Sequence, residues 1–429
     1  MMLRTNKPAM TMGNCRGALT RWWLTVIAVG AFAWGTLLPG IAPAAQADGV
    51  ADDQWYLDSM QAEEMWKVST GEGVKVAVID TGVDKSSPSL KGRVVPGKDF
   101  ASAPGDENTD PIGHGTTMAE LIAGSGAKGT LKGLAPDAEI LPIRAPLSGM
   151  PGKQDAVASA IRAAADSDAR IISMSFGTGA TDALVDALKY ATKRGKLLLA
   201  STGNEAKKGN PASWPATDPE VAGIAAVDKS GEVTDFSSHG KNVDLAAPGS
   251  QDIPGRCKGH MESYCPGGGT SSATAITSAS AALIWSKHPT WTANQVLKVL
   301  LDTAGRTWKD KDSSSTYVGR GAVRPRVNLL EGKGDPGPPD VSPLTGVKTR
   351  TPGDGVGKSA GDGKGESGSE PSRSAEAGAP DKVKVADSAS GGNDGGGDGN
   401  STVWIAAGAV GAVVVLGGGA FLALRSRRG

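Results

Sequence analysis

The chain has 429 residues, enough for two or three average domains, but its 61 glycines and 26 prolines gather mainly near the C-terminus, so much of the length is not domain. Lysine plus arginine equals aspartate plus glutamate at 45 each, giving zero net charge. That balance argues against nucleic acid as a partner and gives no hint of an acidic or basic substrate.

Arg4, Lys7, Arg16 and Arg21 precede an apolar run from Trp22 to about Leu38, closed by Pro39, Pro43 and Ala45-Gln46-Ala47. Positive, apolar, then A-x-A is the order of a secretory signal peptide over residues 1–47, cut after Ala47, with an uncleaved anchor as the alternative. Cys15 precedes the apolar run and is not a lipid-attachment cysteine. Residues 48–73 are left as a short N-terminal extension.

The following stretch alternates. Val74–Ile79, Glu139–Ile143, Arg170–Met174, Lys196–Ser201, Val221–Val227 and Val243–Ala246 are short apolar runs that read as strands. Thr116–Ala123, Lys153–Ala169, Asp182–Arg194, Ser271–Lys287 and Thr292–Thr303 read as helices. Strand and helix in turn, with continuous rather than alternating apolar strands, predict an α/β domain over 74–331: a parallel sheet covered by helices on both faces, in three layers.

Cys257 and Cys265 lie eight positions apart in a Gly/Pro-rich stretch. In an oxidising compartment a short-loop disulfide is the natural reading; two free thiols, or half of a metal site with His260 between them, are the alternatives. Residues 332–402 are rich in Gly, Ser, Pro, Asp and Lys and read as a disordered linker, with an r.m.s. span of ~45 Å. Val403–Leu424 is uncharged and apolar over about the length that crosses a bilayer. Arg425, Arg427 and Arg428 in the tail 425–429 then predict a cytoplasmic C-terminus and a domain outside the membrane.

Three segments carry chemistry. Val76-Ala77-Val78-Ile79-Asp80-Thr81-Gly82 ends a buried strand in a carboxylate, where catalytic groups of α/β sheets collect. Gly113-His114-Gly115-Thr116 puts an imidazole between glycines at a helix start, and Gly267 to Thr274 puts Ser271 after a glycine run at the start of an apolar helix. Singly, these residues are as well explained by a turn cap, a loop histidine and an N-cap serine. Together, the order Asp, His, Ser with gaps of 34 and 157 residues is the subtilisin-type order of a catalytic triad.

On these motifs the sequence resembles the subtilase (subtilisin-like) serine protease family from about Gln54 to Leu329. Ser201-Thr202-Gly203-Asn204 matches the segment that carries the family's oxyanion-hole asparagine, and Ser173 to Gly177 looks like its substrate-lining strand. Phe236-Ser237-Ser238 and Ala247-Pro248-Gly249 also fit. The resemblance implies a subtilisin-like fold and a serine endopeptidase acting on polypeptides without a cofactor. Asp80, His114 and Ser271 would be catalytic and Asn204 an oxyanion donor. Ser175, Phe176, Gly177, Ser201, Thr202 and Gly203 would line the substrate, with Phe176 suggesting an apolar subsite and Ile143–Pro146 bordering the other side. His239, His260 and His288 lack a matching context and read as surface residues. Ala275 departs from a common proline without harm to a helix. The loop Ser125–Leu131 lacks the Asn/Asp ligands of the family's strong calcium site, so no metal is expected there.

The leader, Asp53 to Asp58, the short extension, the Pro/Gly linker and the C-terminal apolar segment together look like mycosins, membrane-anchored subtilases associated with type VII secretion. That resemblance implies the secretion complex and its exported proteins as partners. It leaves two roles open: an anchored processing endopeptidase, or a structural subunit of the secretion complex. A general subtilase unrelated to secretion is a further alternative.

Overall fold

The computed structural model describes residues 50–147 and 153–349 apart from 259 and 311. The leader 1–47 and the apolar segment 403–424 lie outside the described residues. No helix among the described residues is long and apolar enough to cross a membrane.

Helices α1 (Trp55–Ser59) and α2 (Ala62–Trp66) precede strand β1 (Lys75–Asp80). The short strand β2 (Lys98–Asp99), helix α3 (His114–Ala123), strand β3 (Glu139–Arg144), helix α4 (Lys153–Asp166) and strand β4 (Ile171–Met174) follow. Next come α5 (Asp182–Lys193), β5 (Leu197–Ser201), β6 (Ala222–Val227), β7 (Leu245–Pro248) and an antiparallel pair, β8 (Pro254–Cys257) and β9 (His260–Pro266). Helices α6 (Thr270–Lys287), α7 (Ala293–Thr303) and α8 (Pro325–Leu329) close the order. Each strand read from the sequence lies within a residue or two of its expected place. The pair β8–β9, the two-residue β2 and the short α1, α2 and α8 were not anticipated.

Seven strands form one parallel sheet in the order β2-β3-β1-β4-β5-β6-β7. The period-two pleat divides β1 between two cores. Val76 and Val78 join α3, α6 and α7 on one face, while Ala77 and Ile79 join α4 and α5 on the other. Both faces are dry, which is why the strands read as unbroken apolar runs. Beyond β6, the second face is covered by Val318 with Trp308 and Tyr317, from a loop rather than a helix.

From β1 the chain crosses to the edge strand β2 and steps back inward to β3; from β4 it moves outward through β5 and β6 to β7 at the other edge. The neighbours β1 and β4 therefore form a topological switch point, and the crevice at their C-terminal ends is where such sheets bind ligands. Helix α6 fills the centre of one face and is buried from Ser272 to Trp285. Its small residues let it sit close to the sheet. Its hydroxyls are satisfied within the helix: Thr274, Thr277, Ser278 and Ser280 donate to carbonyls four residues back at 2.8–2.9 Å.

Residues 50–73 are part of the same core: Tyr56 and Met65 are fully buried. Gln54 pairs with the backbone of Lys132 in both directions at 2.8 Å, and Trp66 Nε1 donates to the Leu134 carbonyl at 2.8 Å. Order also continues past 331, into the segment read as linker. Gly334 abuts Val299 and Thr303, Asn294 donates to the Pro339 carbonyl and to Thr349 Oγ1, and Thr345 donates to Glu220 at 3.0 Å. Ser342 is buried and Leu344 packs on the core. A polar, Pro-rich strip can be held this way by hydrogen bonds to α7 without a large apolar face of its own. Residues 351–402 lie outside the described part.

Candidate active site

Asp80 ends β1 with its side chain 1 % exposed, and its Oδ1 lies 2.7 Å from Nδ1 of His114, which is 35 % exposed. The same oxygen accepts from Thr81 N at 2.8 Å, whereas Oδ2 is buried without a hydrogen-bond partner among the described residues. Burial alone would lower the pKa of His114. The charge of Asp80, the hydrogen bond to it and the charge of Asp110 outweigh that and raise it.

Glycine makes this contact possible. A Cβ on Gly115 would lie 2.1 Å from the Gly82 carbonyl oxygen and 3.0 Å from Asp80 Cβ, so only glycine lets α3 reach the end of β1. Gly113 precedes the helix at φ 81°, in the left-handed region, and offers no capping side chain. Asp110 supplies the cap instead. Its Oδ1 accepts from Gly113 N at 2.9 Å and Thr81 Oγ1 at 2.7 Å, and its Oδ2 from Thr116 N at 2.8 Å and Thr116 Oγ1 at 2.7 Å. Asp110 went unnoticed in the sequence, where an Asp three residues before Gly113 is a recognisable capping signal.

Ser271 lies in the first turn of α6, beside the exit of β4. Its Oγ donates to the Ser175 carbonyl at 3.1 Å, and Ser175 Oγ donates back to the Ser271 carbonyl at 3.1 Å. The positive end of a long helix dipole sits at this hydroxyl. Asn204 is exposed, following β5. Its Oδ1 accepts from Thr270 N at 2.9 Å and Thr270 Oγ1 at 3.0 Å. The amide oxygen is thereby committed to the base of α6, which leaves the Nδ2 N–H groups as the donors this side chain can offer a ligand. A carboxylate-anchored imidazole, an alcohol at a helix N-terminus and a fixed amide donor are the components of acyl transfer.

The expected substrate-lining residues divide. Gly177 is exposed, and a Cβ there would lie 2.6 Å from Ser213 Oγ. Thr178 pairs with Trp214 in an antiparallel bridge. Phe176 does not form an open apolar subsite: it is 6 % exposed and packs in the core with α4 and α5. Two residues past the end of β4, its ring continues the apolar face on which Ile172 and Met174 meet α4 and α5. Ser175, Ser201 and Thr202 are also buried, and Thr202 Oγ1 donates to the Ile224 and Ser238 carbonyls. Gly203, at φ 107°, donates its N–H to Thr270 Oγ1 at 3.2 Å. What these residues offer an extended ligand is mostly backbone. On the other side Ile143, Arg144 and Ala145 are buried and Pro146 is half-buried.

Cys257 and Cys265 form a disulfide across β8 and β9. His260 is exposed, whereas His239 packs on Tyr317 and His288 stacks on Trp291, both half-buried.

Residues 71–334 match the family model described as the Subtilase family. Thermitase from Thermoactinomyces vulgaris is 33 % identical over 279 residues, covering 63 % of this chain and 93 % of that protein. Subtilisin E from Bacillus subtilis (strain 168) is 34 % identical over 264 residues, 59 % of this chain and 65 % of that protein. Among solved structures, the MycP3 protease from the type VII (ESX-3) secretion system is 29 % identical with a TM-score of 0.55, covering 67 % of this chain and 90 % of that one. MycP1 from Mycobacterium smegmatis is 27 % identical with a TM-score of 0.54, covering 66 % and 86 %. With the family model spanning more than half its length, this chain belongs to the subtilase family and is a subtilisin-like serine endopeptidase.

Proposed function

We propose that the chain is an extracytoplasmic, membrane-anchored serine endopeptidase that works through Asp80, His114 and Ser271 and processes proteins exported by type VII secretion. The observation that carries the catalytic part is the 2.7 Å contact between Asp80 and His114. Asp80 holds the imidazole with Nδ1 protonated and stabilises its charged form. When substrate binds, the Ser271 hydroxyl leaves the Ser175 carbonyl and turns to Nε2 of His114, which takes its proton as the oxygen attacks the scissile carbonyl carbon. The resulting oxyanion accepts from Asn204 Nδ2 and from the Ser271 backbone N–H. His114 then gives the proton to the leaving amine, and water repeats the sequence to release the acyl group. A peptide lies extended along Ser175–Gly177 as an added strand, where the Ser175 carbonyl freed by Ser271 accepts a substrate N–H.

The anchored, exported setting is supported by the leader-like order of residues 1–47, the apolar segment 403–424 with its trailing arginines, and the disulfide. The secretion role is supported by the likeness to MycP proteases. Both ends of the described chain also suit a tether. Residues 50–73 dock near the N-terminal ends of β1 and β3, where Asp137 N donates to the Thr70 carbonyl. Residues 334–349 run along α7 toward Glu220, just before β6. Each lies at the opposite end of the sheet from Asp80, so a membrane link leaving there does not cross the cleft.

The test is fluorophosphonate labelling of the full-length protein in membranes, with Ser271→Ala as control. Labelling that vanishes in the control is expected, together with accumulation of uncut exported proteins in a Ser271→Ala strain. An unaltered protein that takes no label would leave the structural-subunit role.

A further inference from the structure

Helix α3 opens with His114 and carries, six residues on and ~9 Å along its axis, a carboxylate that the reaction does not use. Glu120 is fully buried. Arg256 grips it as a fork, with Nη2 on Oε1 at 2.5 Å and Nε on Oε2 at 3.0 Å. Ser87 and Ser89 each donate to Oε1 at 2.6 Å, and the Tyr264 hydroxyl lies 3.0 and 3.1 Å from the two oxygens. The Arg256 side chain is 6 % exposed, and its guanidinium stacks 4.7 Å from the Tyr264 ring centroid. A charge this deep is tolerated because cation and hydroxyls replace its water.

Arg256 and Tyr264 face each other across the β8–β9 hairpin, one residue from the disulfide on each strand. The Arg256 N–H also donates to Thr117 Oγ1 at 2.9 Å, so Thr117 and Glu120, neighbours on one face of α3, are both tied to β8. The far end of the hairpin runs straight into Ser271. Pro254 pairs with Pro266, Gly267 N donates to the Ile253 carbonyl at 2.9 Å, and Gly269 N to the Gly249 carbonyl at 2.7 Å. Between Pro266 and Thr270 there are only glycines. With no side chains to pack, their path is set by what holds the two ends.

We propose that Glu120 and Arg256 are a positioning pair: braced by the disulfide, they fix the hairpin that delivers Ser271 against the helix that presents His114, and so set the distance the proton crosses. This rests on the catalytic reading above and extends it. Stability alone is a poor reason for the pair, since apolar residues of similar volume usually serve a buried site as well or better. What the ion pair adds is a fork geometry that fixes both position and angle.

The experiment follows fluorophosphonate inactivation of the full-length protein, separating kinact from KI, in E120L/R256M and in R256K. The apolar pair takes the acceptor from the Ser87, Ser89 and Tyr264 hydroxyls, so its unfolding midpoint drops, while in the folded variant kinact is expected to fall ~10- to 100-fold and KI to stay within about two-fold. R256K keeps the charge but loses the fork, so a smaller fall in kinact is expected. A folded double variant with unaltered kinact overturns the proposal, as does a loss confined to KI. If the double variant does not fold, an unaltered kinact in folded R256K overturns it equally. Unaltered protein that takes no label at Ser271 removes the catalytic reading and this one together; labelled protein with unaffected variants removes this one alone.

Discussion

The two ends of helix α3 hold buried carboxylates in opposite ways. At its start, Asp80 faces an imidazole that can lose its proton, one of its oxygens lacks a partner among the described residues, and the imidazole is a third exposed. Further along, Glu120 faces a guanidinium that keeps its charge at any relevant pH, and both its oxygens are occupied. The first arrangement leaves hydrogen bonds that can be exchanged during a reaction; the second leaves none. A helix shared by both lets fixed contacts hold exchangeable ones in register, and variants can separate the two contributions.

The largest effect is expected where an exchangeable donor is removed without touching the fixed frame. Asn204→Ala deletes the Nδ2 donor from an exposed residue, so turnover of a peptide substrate should fall on the order of 10²- to 10³-fold, a magnitude carried over from subtilisin. Its Oδ1 also accepts from Thr270 N at the helix start, so a stability loss of about 0.5–2 kcal/mol accompanies it. A turnover near that of the unaltered protein, in a folded variant, would remove Asn204 from the site.

The candidates Asp80, His114, Ser271 and Asn204 stood out because their chemistry is concentrated in short segments of few residue types, and of these the Asp80–His114 pairing is the contact the structure places at 2.7 Å. The sheet was legible because strands dry on both faces give continuous apolar runs, as in Val76 to Ile79. The hairpin was not, because Pro254, Gly255 and the glycines after Pro266 read as loop, and its strands are specified by a disulfide and by Arg256 reaching Glu120, 136 residues away in sequence. Phe176 was misplaced for a related reason: sequence shows that a residue is apolar, but not which side of the strand end is open. The strip 332–349 looked like linker because its order comes from hydrogen bonds to α7, which composition does not reveal.

A smaller effect is expected from forcing the two kinds of contact apart. Gly115→Ala adds a methyl that meets the Gly82 carbonyl and Asp80 Cβ, so α3 must withdraw from β1. A misplacement on the order of 1 Å costs up to ~100-fold in rate, with a stability loss of about 1–3 kcal/mol from overpacking. Unlike Asn204→Ala, this variant should show the larger share of its damage in the unfolding midpoint. Unchanged midpoint and rate together would mean that the helix start has room the structure does not show.

The finest separation uses charge alone. On the proposed mechanism His114 must be neutral to accept the Ser271 proton, so labelling falls as pH drops through the pKa of its imidazole, and the upward shift moves that limb to higher pH than an unperturbed histidine would give. The charge of Asp110 is one of the causes of the rise. Asp110→Asn removes it while keeping an oxygen for Gly113 N and Thr81 Oγ1, and gives up the acceptor for Thr116 N. The imidazolium is then less favoured, its pKa falls, and the acid limb moves to lower pH even as the maximal rate declines. Added salt should shrink the difference between the two proteins, because the effect is a charge acting at a partly exposed site. A limb that stays in place, or moves to higher pH, would mean that Asp110 acts on His114 only through the helix cap and not through its charge.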